Sequence, residues 1–102
     1  MVDRNKLTNE EIESNLSELS NGWELGDKEI IRTLQFSSFK DAINFVNRIA
    51  KIAERLDHHP IITINWKKVK LCLTSFDING ITGRDIILAK EIDKEIQNKQ
   101  NI

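Results

Sequence analysis

Residues 54–60 mark the change from helix to strand in this sequence and read Glu54-Arg55-Leu56-Asp57-His58-His59-Pro60. Both histidines and the only proline of the chain lie in this stretch. Because a proline pushes the residue before it out of helical backbone, the preceding helix is predicted to end near Asp57 or His58. Adjacent histidines at such an exit point in different directions, so one metal ion is not expected to bind both.

The residues before this stretch predict a helix and then a β-hairpin. Residues 1–6 show no period and are predicted to be a flexible leader. Thr8 and Glu11 form a capping-box pattern, which predicts a helix that begins there and ends near Ser20. Two strands follow over 23–25 and 29–36, with their turn at Gly26-Asp27.

A second and longer helix is predicted from a Ser38 cap to Leu56. The apolar side chains predicted to share its buried face are Phe39, Ala42, Ile43, Val46, Ile49, Ala50, Ala53 and Leu56. Phe45 and Ile52 widen this apolar arc. Two explanations stay open for them: they complete the core, or they contact another subunit.

The residues after Pro60 predict a second β pair and a last helix. The strands cover 61–66 and 69–75, joined at Lys67-Lys68, and a loop covers 77–80. A capping-box pattern over 82–85 starts the last helix, which gives way to a polar tail over 97–102. The order αββαββα predicts one α+β domain over 1–102, a four-stranded antiparallel sheet with helices packed on one face.

The composition excludes several functional classes. Lys+Arg 15 against Asp+Glu 16 gives no basic field for nucleic acid, so no direct nucleic-acid partner is expected. No apolar run approaches the roughly 20 residues that span a bilayer. A single cysteine, Cys72, rules out an internal disulfide and is typical of a reducing compartment, so the expected location is the cytoplasm. On a strand, Cys72 is predicted to be a small buried hydrophobe.

The histidine stretch carries the acid–base chemistry that the sequence offers. Histidine titrates nearest to neutral pH, and His58 and His59 stand beside Glu54 and Asp57. Carboxylates in a last helical turn oppose the helix dipole, which suggests that they orient an imidazole instead. The alternative, that both histidines are polar helix-exit residues, stays open. Asp85 is predicted to cap the last helix, and no spacing of ligands predicts a metal site.

The sequence resembles the pterin-4a-carbinolamine dehydratases. The matching segments are 22–23, 31–36, 39–42, 45–48, 53–60, 68–74 and 80–89. The pattern AExxDHHP, followed by G-[IL]-[TS]-x-x-D at 80–85, is its most specific part. The resemblance implies a homodimer or homotetramer that dehydrates a 4a-hydroxytetrahydropterin to a quinonoid dihydropterin. It also implies recycling of the pterin cofactor of aromatic amino acid hydroxylases, with no metal or organic cofactor.

Position by position, the resemblance makes His58, His59 and Asp85 the catalytic residues. The substrate-binding residues that it implies are Glu54, Asp57, Pro60, Thr74, Phe76 and Arg84. One position departs from the family pattern, because a third active-site histidine is replaced by Phe76. A missing acid–base group predicts a tenfold to thousandfold loss of rate, of the order such groups contribute. The alternative is therefore a weakened homologue that binds a pterin or a protein partner.

Overall fold

The structure, a computed structural model, describes residues 5–100, with side chains described as far as Gln97. Its elements are α1 Asn9–Ser17, β1 Trp23–Leu25, β2 Ile30–Gln35, α2 Phe39–Leu56, β3 Ile61–Asn65, β4 Lys68–Leu73 and α3 Gly83–Gln100. The predicted αββαββα order is confirmed. The N-caps explain two helix starts: Thr8 and Glu11 form a capping box at α1, and the Ser38 side chain accepts from the Asp41 amide at α2.

The four strands form one antiparallel sheet in the order β1-β2-β4-β3. On β4, Val69, Leu71 and Leu73 are fully buried, whereas Lys68 and Lys70 are exposed. Alternate side chains of a strand point to opposite faces, so this pattern places the core on one face of the sheet. The predicted packing of the helices on one face is confirmed.

Helix α2 buries a face rotated from the predicted one. Its buried residues are Ala42, Phe45, Ile49 and Ala53. Phe39 is 52% exposed and Ala50 is exposed, so the prediction that they share the buried face was wrong. At about 100° per residue, Phe39 lies roughly 75° and Ala50 roughly 95° from the centre of the buried arc. Phe45, 1% exposed, completes the core, and Ile52 packs against it.

Several predicted boundaries also change. The β3–β4 turn is Trp66-Lys67, one residue earlier than predicted, because Asn65 pairs with Lys68 and Trp66 adopts a left-handed φ of 55°. Helix α3 runs to Gln100, so most of the predicted polar tail is helical. Lys6, assigned to the leader, forms an isolated bridge with Thr82. Residues 1–4 of that leader, and residues 101–102 of the tail, lie outside the described part.

Cys72 is buried, as predicted for a small hydrophobe on a strand. Burial raises the pKa of its thiol, and the nearby Glu29 carboxylate adds to that effect. The described helices include none with both the length and the hydropathy needed to cross a bilayer.

Candidate active site

The end of α2 turns His58 into the protein. Asp57 caps the helix in a left-handed conformation, with φ 52° and ψ 42°, and its N–H donates to Ala53 and Glu54 carbonyls. The His58 N–H then donates to the Ala53 carbonyl at 3.1 Å. This turn leaves His58 only 9% exposed. Its Nε2 lies 2.5 Å from Oδ1 of Asp85, which joins the end of α2 to the start of α3.

Asp85 is fully buried and uses its two oxygens differently. Oδ1 faces His58, whereas Oδ2 accepts from the Thr82 amide at 3.0 Å and from Ser75 Oγ at 2.9 Å. The Thr82 bond is the predicted cap of α3. Asp85 therefore caps a helix and contacts an imidazole at the same time. The sequence pattern alone predicted only the cap.

His59 points away from His58, as the helix exit predicted. Its Nε2 is hydrogen-bonded to Oε2 of Glu54, and both side chains are largely exposed. The Glu54 carboxylate, which opposes the α2 dipole, thus has an imidazole partner. Pro60 follows directly and leads into β3. The two histidines form two separate imidazole–carboxylate pairs, one buried and one open to solvent.

A cavity of about 250 Å³ lies between these pairs and the end of β4. Its lining residues are Asp57, His58, His59, Thr74, Phe76 and Asp77. Phe76 is 71% exposed at its wall. Thr74 is held by donating its hydroxyl to the Lys28 carbonyl at 2.6 Å. The cavity lining therefore includes one aromatic ring and two imidazoles.

The other residues implied by the resemblance surround this cavity without lining it. Arg84 Nη2 forms an ion pair with Asp77 Oδ1 at 2.8 Å, so Arg84 contacts the wall through Asp77. Glu54 and Asp85 contact it through the two histidines. Among the described residues, no group of three or more His, Cys, Asp or Glu is arranged to hold a metal ion.

Sequence reasoning missed two members of the site, Ser75 and Asp77. Asp77 follows Phe76 in the loop, and its opposite charge to Arg84 seven residues later was the available signal. Ser75 gave no signal, because a serine after a strand is ordinary and its partner Asp85 lies in another element.

A protein-family comparison matches residues 5–95 to the family described as pterin 4 alpha carbinolamine dehydratase. Curated relatives provisionally named pterin-4-alpha-carbinolamine dehydratase are similar over nearly their full length. The protein from Roseiflexus castenholzii is 46% identical over 88% of this chain and 96% of its own. That from Sulfurisphaera tokodaii is 43% identical, over 87% and 95%.

Solved structures show the same likeness. A transcriptional coactivator/pterin dehydratase from Brucella melitensis matches with a TM-score of 0.84 and 33% identity, covering 89% of this chain and 98% of its own. A pterin dehydratase-like protein described as a RuBisCO assembly factor of the alpha-carboxysome has a TM-score of 0.62 at 18% identity, over 74% and 89%. At that identity the second match concerns the fold alone.

Proposed function

The chain belongs to the pterin 4 alpha carbinolamine dehydratase family, and we propose that it dehydrates a 4a-hydroxytetrahydropterin to a quinonoid dihydropterin. The observation that carries this proposal is the buried His58–Asp85 pair at the wall of a cavity that also exposes His59. The reaction class is that of a hydro-lyase. Its place is the recycling of tetrahydrobiopterin after aromatic amino acid hydroxylation.

The chemistry requires one proton to be supplied and one to be removed. The C4a–O bond breaks and the departing hydroxyl takes a proton to leave as water. The N5–H bond gives up its proton, and its electron pair forms the C4a=N5 double bond. An acid and a base on two sides of one cavity perform this exchange, and imidazoles suit both roles near neutral pH.

His58 is the principal acid–base residue. With its Nε2 proton donated to Asp85 Oδ1, the neutral imidazole keeps a lone pair on Nδ1, which accepts the N5 proton. The buried carboxylate fixes this tautomer and stabilises the imidazolium that forms. His59, oriented by Glu54, supplies the proton to the hydroxyl.

The cavity wall binds and orients the pterin. The Phe76 ring stacks on the bicyclic ring of the pterin, because flat aromatic rings pack face to face in an offset arrangement. Thr74 and Asp57 offer polar contacts, and Arg84 fixes Asp77. Pro60 sets the backbone from which His59 projects. The proposed reaction uses no metal and no organic cofactor, because proton transfers alone complete it.

A coupled dehydration assay on His58→Ala tests this function. We expect kcat to fall about a thousandfold, the middle of the range for a lost acid–base group. Lys51→Ala, an exposed change on the same helix, is the matched control and keeps wild-type turnover. Equal turnover of wild type and His58→Ala at the background rate, with both folded by circular dichroism, would contradict the proposal.

A second candidate function is a pterin-binding or protein-interaction module, and Phe76 is the observation that favours it. A phenyl ring cannot transfer a proton, so the site lacks one acid–base group of its family. Phe76→His discriminates the two functions. A rise in kcat of at least about tenfold indicates a catalytic pocket short of one group. Calorimetric pterin binding without turnover in either protein indicates a binding role.

The proposed unit is a homodimer or homotetramer in the cytoplasm. Exposed apolar side chains on α2 and β3, among them Phe39, Ile61 and Ile64, favour self-association. Strand β3 is also an open edge of the sheet. The single free thiol fits a reducing compartment. Light scattering after size-exclusion chromatography gives the number of subunits, and a monomer at micromolar concentration would contradict this part of the proposal.

A further inference from the structure

The Ser75 hydroxyl lies at the centre of a buried network behind the histidine pair. Ser75 follows β4 directly and is 1% exposed. Its Oγ donates to Asp85 Oδ2 at 2.9 Å and lies 2.8 Å from Thr82 Oγ1. Its backbone N–H donates to the Gly80 carbonyl at 2.9 Å, which fixes the position of the side chain. Ser75 does not line the cavity, so it acts on the reaction only through Asp85.

The contacts of Thr82 set the direction of the hydrogen bonds. Thr82 Oγ1 accepts from the Arg84 amide at 3.2 Å and from Arg84 Nε at 3.3 Å. With both lone pairs engaged, its own proton points to Ser75 Oγ. Ser75 in turn donates to Asp85. A single line of donors therefore runs from the Arg84 guanidinium through two hydroxyls to a buried carboxylate, and bonds in such a line polarise one another.

This line determines which oxygen of Asp85 meets His58. Oδ2 is occupied by Ser75 and the Thr82 amide, so Oδ1 alone is left for the imidazole. A buried ionised carboxylate is costly unless donors satisfy it. Removing the Ser75 donor leaves Oδ2 with one partner, the Thr82 amide, and lets the carboxylate rotate away from the imidazole.

We infer that Ser75 is a positioning residue: its hydroxyl holds the Asp85 carboxylate in one orientation, with Oδ1 facing the imidazole, so that His58 carries its proton on Nε2. The effect on turnover rests on the proposed function. The effect on the His58 tautomer does not.

Kinetics of Ser75→Ala, Ser75→Thr and Ser20→Ala test the effect on turnover. We expect kcat to fall about tenfold in Ser75→Ala, the loss for one hydrogen bond to a charged group, with KM changed less than about twofold. Ser75→Thr, which keeps the hydroxyl, restores kcat. Ser20→Ala is the matched control, because Ser20 Oγ donates to the buried Asp93 at 2.7 Å, away from the cavity. It keeps wild-type kcat.

Ring ¹⁵N spectra of the two histidines test the tautomer without any substrate. Wild type, Ser75→Thr and Ser20→Ala show His58 protonated on Nε2, whereas Ser75→Ala shifts its ring nitrogens toward a mixture of tautomers. Ser75→Cys, similar in size but a weak donor, gives the same shift and replaces Ser75→Ala if that variant does not fold.

Two results would overturn the inference. One is unchanged ¹⁵N chemical shifts of the His58 ring in folded Ser75→Ala or Ser75→Cys, and the other is a wild-type His58 protonated on Nδ1. This holds even if turnover is confirmed. A wild type without turnover, but with the expected spectra, would overturn the proposed function and leave the positioning role standing.

Discussion

Helix α3 carries two buried aspartates, Asp85 and Asp93. Both carboxylates are hydrogen-bonded by three groups, but the partners differ. They are eight residues apart, about 12 Å along the helix axis. Asp93 accepts from the Ser20 amide at 2.8 Å, from Ser20 Oγ at 2.7 Å and from Trp23 Nε1 at 2.8 Å. Asp85 also has an amide, a serine hydroxyl and a ring nitrogen, but the ring is an imidazole.

The two sites differ in the third group that contacts the carboxylate, an indole N–H at Asp93 and an imidazole at Asp85. The donors to Asp93 are an amide, a hydroxyl and an indole N–H, none of which ionises near neutral pH, so the contacts of Asp93 tie the loop before β1 to α3. The imidazole of His58 is a type of side chain that serves in acid–base chemistry, and it has that role in the proposed reaction. Burial and hydrogen bonding are similar at the two aspartates, so the third contact is what distinguishes the proposed active site at Asp85 from the structural site at Asp93.

The largest predicted effect is the difference in kcat between the asparagine variants of Asp85 and Asp93. Asp85→Asn is expected to lower kcat about a hundredfold, because asparagine has one acceptor oxygen in place of two and cannot serve His58 together with the Ser75 and Thr82 donors. Asp93→Asn is expected to keep kcat within about twofold, while losing about 2 kcal/mol of unfolding free energy. Turnover and urea denaturation are measured on both. A comparable loss of kcat in folded Asp93→Asn would remove the distinction.

The next effect uses Phe76→His in three backgrounds. An added imidazole should raise kcat at least about tenfold in wild type and in Asp93→Asn, where the His58 pair is intact. The gain should vanish in Asp85→Asn, since a new acid–base group cannot replace an unsupported base. A double-mutant cycle on kcat gives the coupling. Equal gains in kcat in all three proteins would show that Asp85 and the imidazole at position 76 act independently.

A smaller effect concerns the donors to Asp93. Trp23→Phe removes one hydrogen bond and keeps most of the ring, so we expect a loss of about 1 kcal/mol in unfolding free energy and unchanged kcat. Denaturation followed by circular dichroism measures the loss, because Trp66 is largely exposed and reports the transition poorly by fluorescence. A change in kcat beyond about twofold would mean that the hydrogen bonds to Asp93 also determine the shape of the cavity.

The smallest effect is expected on the rate at which Cys72 is alkylated. This rate checks that Asp85→Asn and Asp93→Asn keep the fold. Burial raises the pKa of its thiol, so less thiolate is present at neutral pH and alkylation is slow, rising as the pH rises. Iodoacetamide labelling followed by mass spectrometry should give similar rates for wild type, Asp85→Asn and Asp93→Asn under native conditions. Fast labelling of either variant would mean that its kinetic change reflects loss of structure.

The sequence predicted those parts of the site that depend on local backbone rules. A proline after two histidines predicted the helix end and the divergence of His58 from His59, and both are observed. A capping pattern predicted the Thr82–Asp85 bond. The order of elements followed from the same local signals and from strand and helix periods.

The parts that escaped prediction depend on contacts between distant residues. Ser20 and Asp93 are 73 positions apart, and nothing near either one indicates the other. Phe39 and Phe45 both fit an apolar helix, and only the placement of α2 over the sheet decides that Phe45 is the buried one. Resemblance to a family, rather than spacing, placed Asp85 in the same predicted site as the two histidines, since a cap at a helix start explains that aspartate completely by itself.

The His58–Asp85 contact also has a consequence for how the chain folds. Its two residues are 27 positions apart, and the whole β3–β4 hairpin lies between them. Closing that loop costs entropy that is repaid only after the hairpin pairs and α3 docks on α2. We therefore expect the His58–Asp85 pair to form late in folding, once the chain has reached its complete topology.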